Sequence, residues 1–199
     1  MHDVQIRTTP ALRRTSSSPT SQSFFARWLA RRDWDARRWE LVHGRVVPRR
    51  VAGPTCIGVT RRLQRRLAAA ADGTGTVVLE PCQGLELPTG DTLVPEIGVL
   101  SPERWAGALP SEGNLLRVVP DLVVEVLAVS TERRACDDRR EIYERAGVRE
   151  YWIVDPFTRT VTVSVCHRAC FELGWVLSGA DVLRSAIVPG LRVGLALLF

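Results

Sequence analysis

Glu125 is a carboxylate set inside an apolar run, Pro120-Asp121-Leu122-Val123-Val124-Glu125-Val126-Leu127. An ionised group in such a setting costs several kcal/mol unless hydrogen bonds or a cation answer it. Glu96, after Val94-Pro95 and before Ile97-Gly98-Val99-Leu100, repeats the situation. Alternation places Asp121, Val123, Glu125 and Leu127 on one face of a strand. If the strand carrying Glu96 lies beside it, two carboxylates about 4 Å apart repel by roughly 4 kcal/mol at an effective dielectric of 20. A counter-cation or a shared proton is then required. Paired acids with a cation between them are the apparatus of metal-assisted phosphodiester hydrolysis, in which a lysine commonly assists. This chain has no lysine; all 27 of its basic side chains are arginine.

The helix expected over residues 132–146, ended by Gly147, offers the cation. Arg139, Ile142, Tyr143 and Ala146 fall at i, i+3, i+4 and i+7, so Arg139 is the charged residue on an otherwise apolar face. An inward arginine pairs with carboxylates, and Glu125 or Glu96 is the expected partner, with a planar fork suited to two parallel bonds. Arg133, Arg134 and Arg140 read as surface charge. Asp121, beside Pro120, reads as a strand opener rather than a primary ligand.

These residues lie in a chain of 199 residues, 45% hydrophobic, long enough for one sizeable core. Residues 1–22 read as a disordered Arg- and Ser-rich leader, and residues 23–199 as a single domain. The net charge of +5 belongs to the N-terminal part, since residues 1–38 carry eight arginines and three aspartates while the remainder balances 19 arginines against 19 acids. Overall basicity is therefore no argument for nucleic-acid binding. No apolar run reaches the roughly 20 residues of a spanning helix, and five cysteines without a CxxC pair or a secretory signal suit a reducing cytoplasm. Cys166, His167 and Cys170 lack a fourth ligand at usable spacing and read as thiols beside a histidine rather than a zinc site.

Periodicity predicts a short helix beginning near Phe24, a hairpin over 39–47 turning at His43-Gly44, and a helix over 55–72. On the last, Ile57, Leu63, Leu67 and Ala70 or Ala71 form the expected buried side, with Arg61, Arg62, Arg65 and Arg66 as a basic stripe. Strands are expected at 76–80, 85–87, 93–100, 122–127, 150–154, 160–165 and 175–177. Tyr151 and Trp152 are expected in core or dimer packing, and His43 in solvent. The class is α/β, an α+β mixed sheet with flanking helices.

The order Val94-Pro95-Glu96, then Pro120 to Leu127, then Ser130-Thr131, then Tyr143-x-x-x-Gly147-Val148-x-Glu150-Tyr151-Trp152-Ile153-Val154-Asp155-Pro156, resembles the Uma-two (Uma2) family of restriction endonucleases. Trp39-Glu40-Leu41-Val42-x-Gly44-Arg45-Val46-Val47 and Val188-Pro189-Gly190-Leu191-Arg192-Val193-Gly194-Leu195 support it, and the resemblance spans residues 24–199. It implies a restriction-endonuclease-like core of the PD-(D/E)XK nuclease superfamily with an extra antiparallel hairpin. It also implies Mg²⁺, with Mn²⁺ as substitute, held by Glu96 and Glu125, with DNA as substrate. Glu40 resembles a further acid of the site, and a homodimer is a possible assembly. Arg139 stands at the family's lysine position, Glu96 where aspartate is usual, Ala135 in place of an aspartate, Ala128-Val129 in place of Ser-Pro, Cys56 in place of a frequent histidine, and His43 in place of the turn aspartate. Guanidinium stays protonated and cannot act as a general base. The resemblance therefore implies either an Mg²⁺-dependent DNA endonuclease impaired by Arg139 or a non-catalytic DNA-binding or protein-interaction module on the same fold.

Overall fold

A computed structural model describes residues 19–31, 38–49, 52–128, 133–168, 170–172 and 174–199, without the side chains of 133–135. The elements in order are α1 (Gln22–Ala30), β1 (Trp39–Val42), β2 (Arg45–Pro48), α2 (Pro54–Ala71), β3 (Val77–Val78), β4 (Gly84–Glu86), β5 (Thr92–Leu93), β6 (Ile97–Leu100), α3 (Pro102–Ala106), β7 (Leu109–Ser111), β8 (Leu115–Arg117), β9 (Leu122–Val126), α4 (Arg133–Ala146), β10 (Glu150–Asp155), β11 (Thr160–His167), β12 (Cys170–Phe171), β13 (Trp175–Leu177), β14 (Val182–Leu183) and β15 (Val193–Gly194).

Two mixed sheets carry the architecture. The larger runs β12-β11-β10-β9-β6-β3, with β13 also on β11, and the smaller runs β2-β1-β5-β4-β8-β7. β9 and β10 pair in parallel with α4 as their crossover, and both are buried along their whole length. Parallel strands covered on both faces read as continuous apolar runs, which is why Leu122–Val126 shows little alternation. On one face of this sheet, Val59, Leu63 and Leu67 of α2 pack with Val124, Trp152 and Val154. Leu183, Leu191, Val193, Leu195 and Leu198 close the same cluster, and Arg62 Nε donates to the Leu198 carbonyl at 2.7 Å. The opposite face sets Val123, Tyr151 and Ile153 against Ile142 and Tyr143 of α4 and against Leu85 and Leu93 of the smaller sheet. α1 covers the far side of that sheet through Phe25, Ala26 and Leu29 on Leu41 and Leu115.

Several expectations change. Ile57 is 40% exposed, and the buried side of α2 is instead Cys56, Val59, Thr60, Leu63, Leu67 and Ala71. The helix phase turns on Cys56, whose thiol donates to the Leu127 carbonyl at 3.2 Å, leaving Ile57 on the outer side. The single strand expected over 93–100 is two strands in two different sheets, and Val94-Pro95-Glu96 is the bridge between them. The expected antiparallel hairpin is present, and β1 pairs with β5 as well as β2, which joins it to the smaller sheet.

The leader expectation for residues 1–18 lies outside the described residues. Pro19–Gln22 are placed, with Thr20 N–H on the Gly44 carbonyl at 2.8 Å and Ser21 capping α1. At the hairpin turn, His43 and Gly44 both have positive φ, 48° and 71°, the signature of a type I′ turn. α4 ends in a Schellman motif: Gly147 takes φ +91°, its N–H reaches the Glu144 carbonyl, and the Val148 N–H reaches that of Tyr143, each at 3.0 Å.

Candidate active site

Glu96 and Glu125 are brought together by strand register. β6 and β9 are antiparallel with Ile97 opposite Val124 and Gly98 opposite Val123, so the next position along sets Glu96 against Glu125. Both project from the face of the larger sheet that meets α4 and the smaller sheet. Glu40, on β1, approaches from the smaller sheet and is fully buried. Arg139 reaches in from α4. Together with Arg49 and Asp138 these side chains line a cavity of about 290 Å³. At ~30 Å³ per water, that is room for an ion with some of its waters together with a single phosphodiester group, not for a duplex. A wider open cleft of about 1020 Å³ lies around His43 and Asp91, and none of the three glutamates Glu96, Glu125 and Glu40 is on its walls.

The ion pairs differ from the expected ones. Arg139 Nη2 bonds Glu40 Oε2 at 2.6 Å rather than Glu125 or Glu96. The α4 register points the guanidinium across toward β1, where Glu40 is the buried acid in reach. Glu40 Oε1 also accepts the Val94 N–H at 2.9 Å, so this carboxylate ties β1, the Val94-Pro95-Glu96 bridge and α4 together. Glu96 is paired with Arg49, whose Nη2 bonds its Oε1. Arg49 Nη1 also donates to Cys82 Sγ at 3.3 Å.

Glu125 has the least direct support. Its Oε1 accepts the Tyr143 hydroxyl at 3.3 Å. Burial pushes its pKa up to about 7; the Arg139 charge works against that rise, whereas Glu40 and Glu96 add to it. Burial alone would lower the Arg139 pKa, but Glu125 and Glu40 overcome it and hold it above its usual value. The Arg139 Nε–H is buried without a hydrogen-bond partner. Tyr143 is held protonated by burial and by the adjacent Glu125.

Sequence reasoning missed Arg49, Tyr143 as a partner of Glu125, and Asp138. Tyr143 was in view, one turn beyond Arg139 on the same helix face. Arg49 gave no periodic signal, since it follows β2 in the run Pro48-Arg49-Arg50. Asp121 is placed as a structural node: its oxygens take the Ser101 N–H at 2.7 Å, Arg104 at 3.2 Å and Arg149 at 3.3 Å. Tyr151 and Trp152 are core residues, and His43 is exposed. Ser130 and Thr131 lie outside the described residues, as does the side chain at Ala135. Among the described residues no three His, Cys, Asp or Glu side chains are grouped so as to hold a metal ion by themselves, which covers both the glutamates and the Cys166, His167 and Cys170 group. No helix among them is long and apolar enough to cross a membrane.

The donors nevertheless suit a hard divalent cation. Mg²⁺ keeps several waters and is commonly bound through one or two carboxylates plus substrate phosphate, so a cage of three protein ligands is not required. Charge agrees as well. Glu40 and Glu96 are each paired with an arginine, while Glu125, with a pKa of about 7, and the exposed Asp138 add negative charge around the cavity that grows as the pH rises through neutrality.

Comparison with known proteins supports the same fold. No curated protein matches the chain. A crystal structure titled as a "putative nuclease belonging to DUF820" from Anabaena variabilis ATCC 29413 superposes with a TM-score of 0.68 at 15% identity, covering 81% of this chain and 89% of that one. At that identity the likeness establishes the shared mixed α/β fold. The model of the Uma2 family, described as "Putative restriction endonuclease", matches residues 24–196, so the chain belongs to the Uma2 family.

Proposed function

We propose that this chain hydrolyses DNA phosphodiesters with a divalent cation, Mg²⁺ or Mn²⁺, held by Glu96 and Glu125. The excess of acid over arginine around the 290 Å³ cavity carries this reading. A phosphodiester is itself an anion and is repelled from such a wall until positive charge is added. When bound, a divalent cation supplies that charge, lowers the pKa of a water and stabilises the leaving oxygen.

The chain's own residues set the stage for this chemistry. Tyr143 orients Glu125 through its hydroxyl, and Glu40 anchors Arg139 against the sheet. Arg139 stays charged throughout and stabilises developing negative charge. It abstracts no proton. The cavity takes one phosphodiester while the duplex lies across its mouth.

Plasmid nicking with Mg²⁺ or Mn²⁺, together with calorimetric titration of each ion, tests the reading. Nicking abolished by a chelator and by Glu125→Gln is the expected result; no heat of ion binding and no nicking would sink it. One observation favours a second reading, a non-catalytic DNA-binding module: guanidinium groups already pair with Glu96 and Glu40. Nicking by Arg139→Lys alone, with an inert parent chain, would select that reading.

A further inference from the structure

Two arginines face the cavity, and the structure gives them different standing. Arg139 is committed to Glu40, an acid with no exposure that also holds a backbone N–H of the inter-sheet bridge. Arg49 is committed to Glu96, the acid assigned above to the cation. It begins at a fixed point, since its own N–H bonds the Arg38 carbonyl at 2.7 Å immediately beyond β2. From there its side chain leaves the smaller sheet and ends on Glu96 in the bridge between the two sheets. Glu96 and Arg49 are 13% and 12% exposed, so their pair is shielded from solvent competition.

We infer that Arg49 is an internal counter-cation at Glu96 that a divalent ion must displace, so that the metal-free site is closed by the protein's own guanidinium. This rests on the assignment of Glu96 and Glu125 to the ion and adds a regulatory feature to that site. A carboxylate already neutralised by a bonded guanidinium offers little attraction to a second cation, and two cations on one carboxylate repel. Cys82 gives the displaced arm a place to stay, because Arg49 Nη1 already donates to its sulfur at 3.3 Å while Nη2 serves Glu96. Turning about that contact lifts the Arg49 guanidinium off Glu96 without moving the β1–β2 hairpin.

Calorimetric titration with Mn²⁺ alone, in the absence of DNA, tests the competition on the full chain. Arg49→Ala is expected to bind Mn²⁺ at least about tenfold more tightly than the parent chain. Arg49→Met, which keeps the bulk of the stem, should show the same gain, so that a loosened hairpin in the alanine variant cannot mimic or hide the effect. Adding Glu96→Gln to Arg49→Ala should remove the gain, placing it at this carboxylate. Arg117→Ala, which breaks the distant bridge to Glu86, should leave Mn²⁺ affinity as in the parent. Equal or weaker binding by both Arg49 variants, with clear binding by the parent, overturns the competition and leaves the metal assignment standing. No Mn²⁺ binding by the parent or by any variant overturns both.

Discussion

Glu125 enters the folded protein at a pH-dependent cost. Its pKa is 4.5 as an ordinary carboxyl and about 7 when buried. The folded state therefore binds the proton more tightly than the unfolded chain. Below pH 4.5 both states are protonated and nothing is lost; as pH rises toward 7 the unfolded chain ionises first and stability falls, levelling off above the folded value. The loss is of order 3 kcal/mol. In metal-free protein, urea melts at pH 5, 6, 7 and 8 should show Glu125→Gln gaining on the parent chain across this range. Parallel curves for the two would contradict the burial argument. Arg139→Ala tests the neighbouring pair, since it strands Glu40 as a buried charge; a loss of about 3–5 kcal/mol is expected in the same melts. Glu96, Glu125 and Arg139 stood out in the sequence because a charge inside an apolar run or on an apolar helix face contradicts its surroundings, whereas Glu40 was reached only through the family resemblance. Their pairing was not legible. Which acid an arginine reaches depends on where β1 lies over β6 and β9, a tertiary fact that no helix phase contains.

The hairpin shows what element-scale reasoning can and cannot reach. His43-Gly44 announced a two-residue turn, and the turn is present with Val42 opposite Arg45. That Gly44 cannot be replaced follows from two facts, its φ of +71° and the 2.4 Å at which a Cβ there would meet Pro19 Cβ. Gly44→Ala is expected to destabilise by more than about 1 kcal/mol and to release Pro19–Gln22 from the turn. Faster proteolysis near residue 19, with a lowered Tm, would register it; unchanged cleavage and Tm would count against the contact. The run 93–100 misled for a physical reason. Val94-Pro95-Glu96 is as apolar in its flanks as a strand interior, and leaving one sheet for another is decided by partners far along the chain. Pro95, unable to donate to a ladder, was the available signal. The very short strands of the smaller sheet, including β7 and β8, carry too few residues for any period to emerge.

Across the whole molecule, the C-terminal segment is held by one buried acid. Glu150, opposite Leu122 in the parallel pair, accepts from Trp152 Nε1 at 2.8 Å, Ser185 Oγ at 2.9 Å and the Ala186 N–H at 3.1 Å. Burial raises its pKa even against those hydrogen bonds. Glu150→Ala leaves these donors unsatisfied inside the protein, and a loss of roughly 2–4 kcal/mol is expected, with early protease cleavage between 178 and 187. Retention of parental stability would show that the segment is held by its apolar contacts alone. Those contacts carry a further consequence. Leu183, Leu191, Val193, Leu195 and Leu198 finish the cluster around α2, yet a ribosome makes them after every strand and helix they cover. A nascent chain that has emerged only as far as β13 presents Leu63, Leu67 and Trp152 on an unsealed face. Such a chain is a natural client for a holding chaperone, and translational stalling just after β13 should yield aggregation-prone fragments rather than a smaller version of this fold.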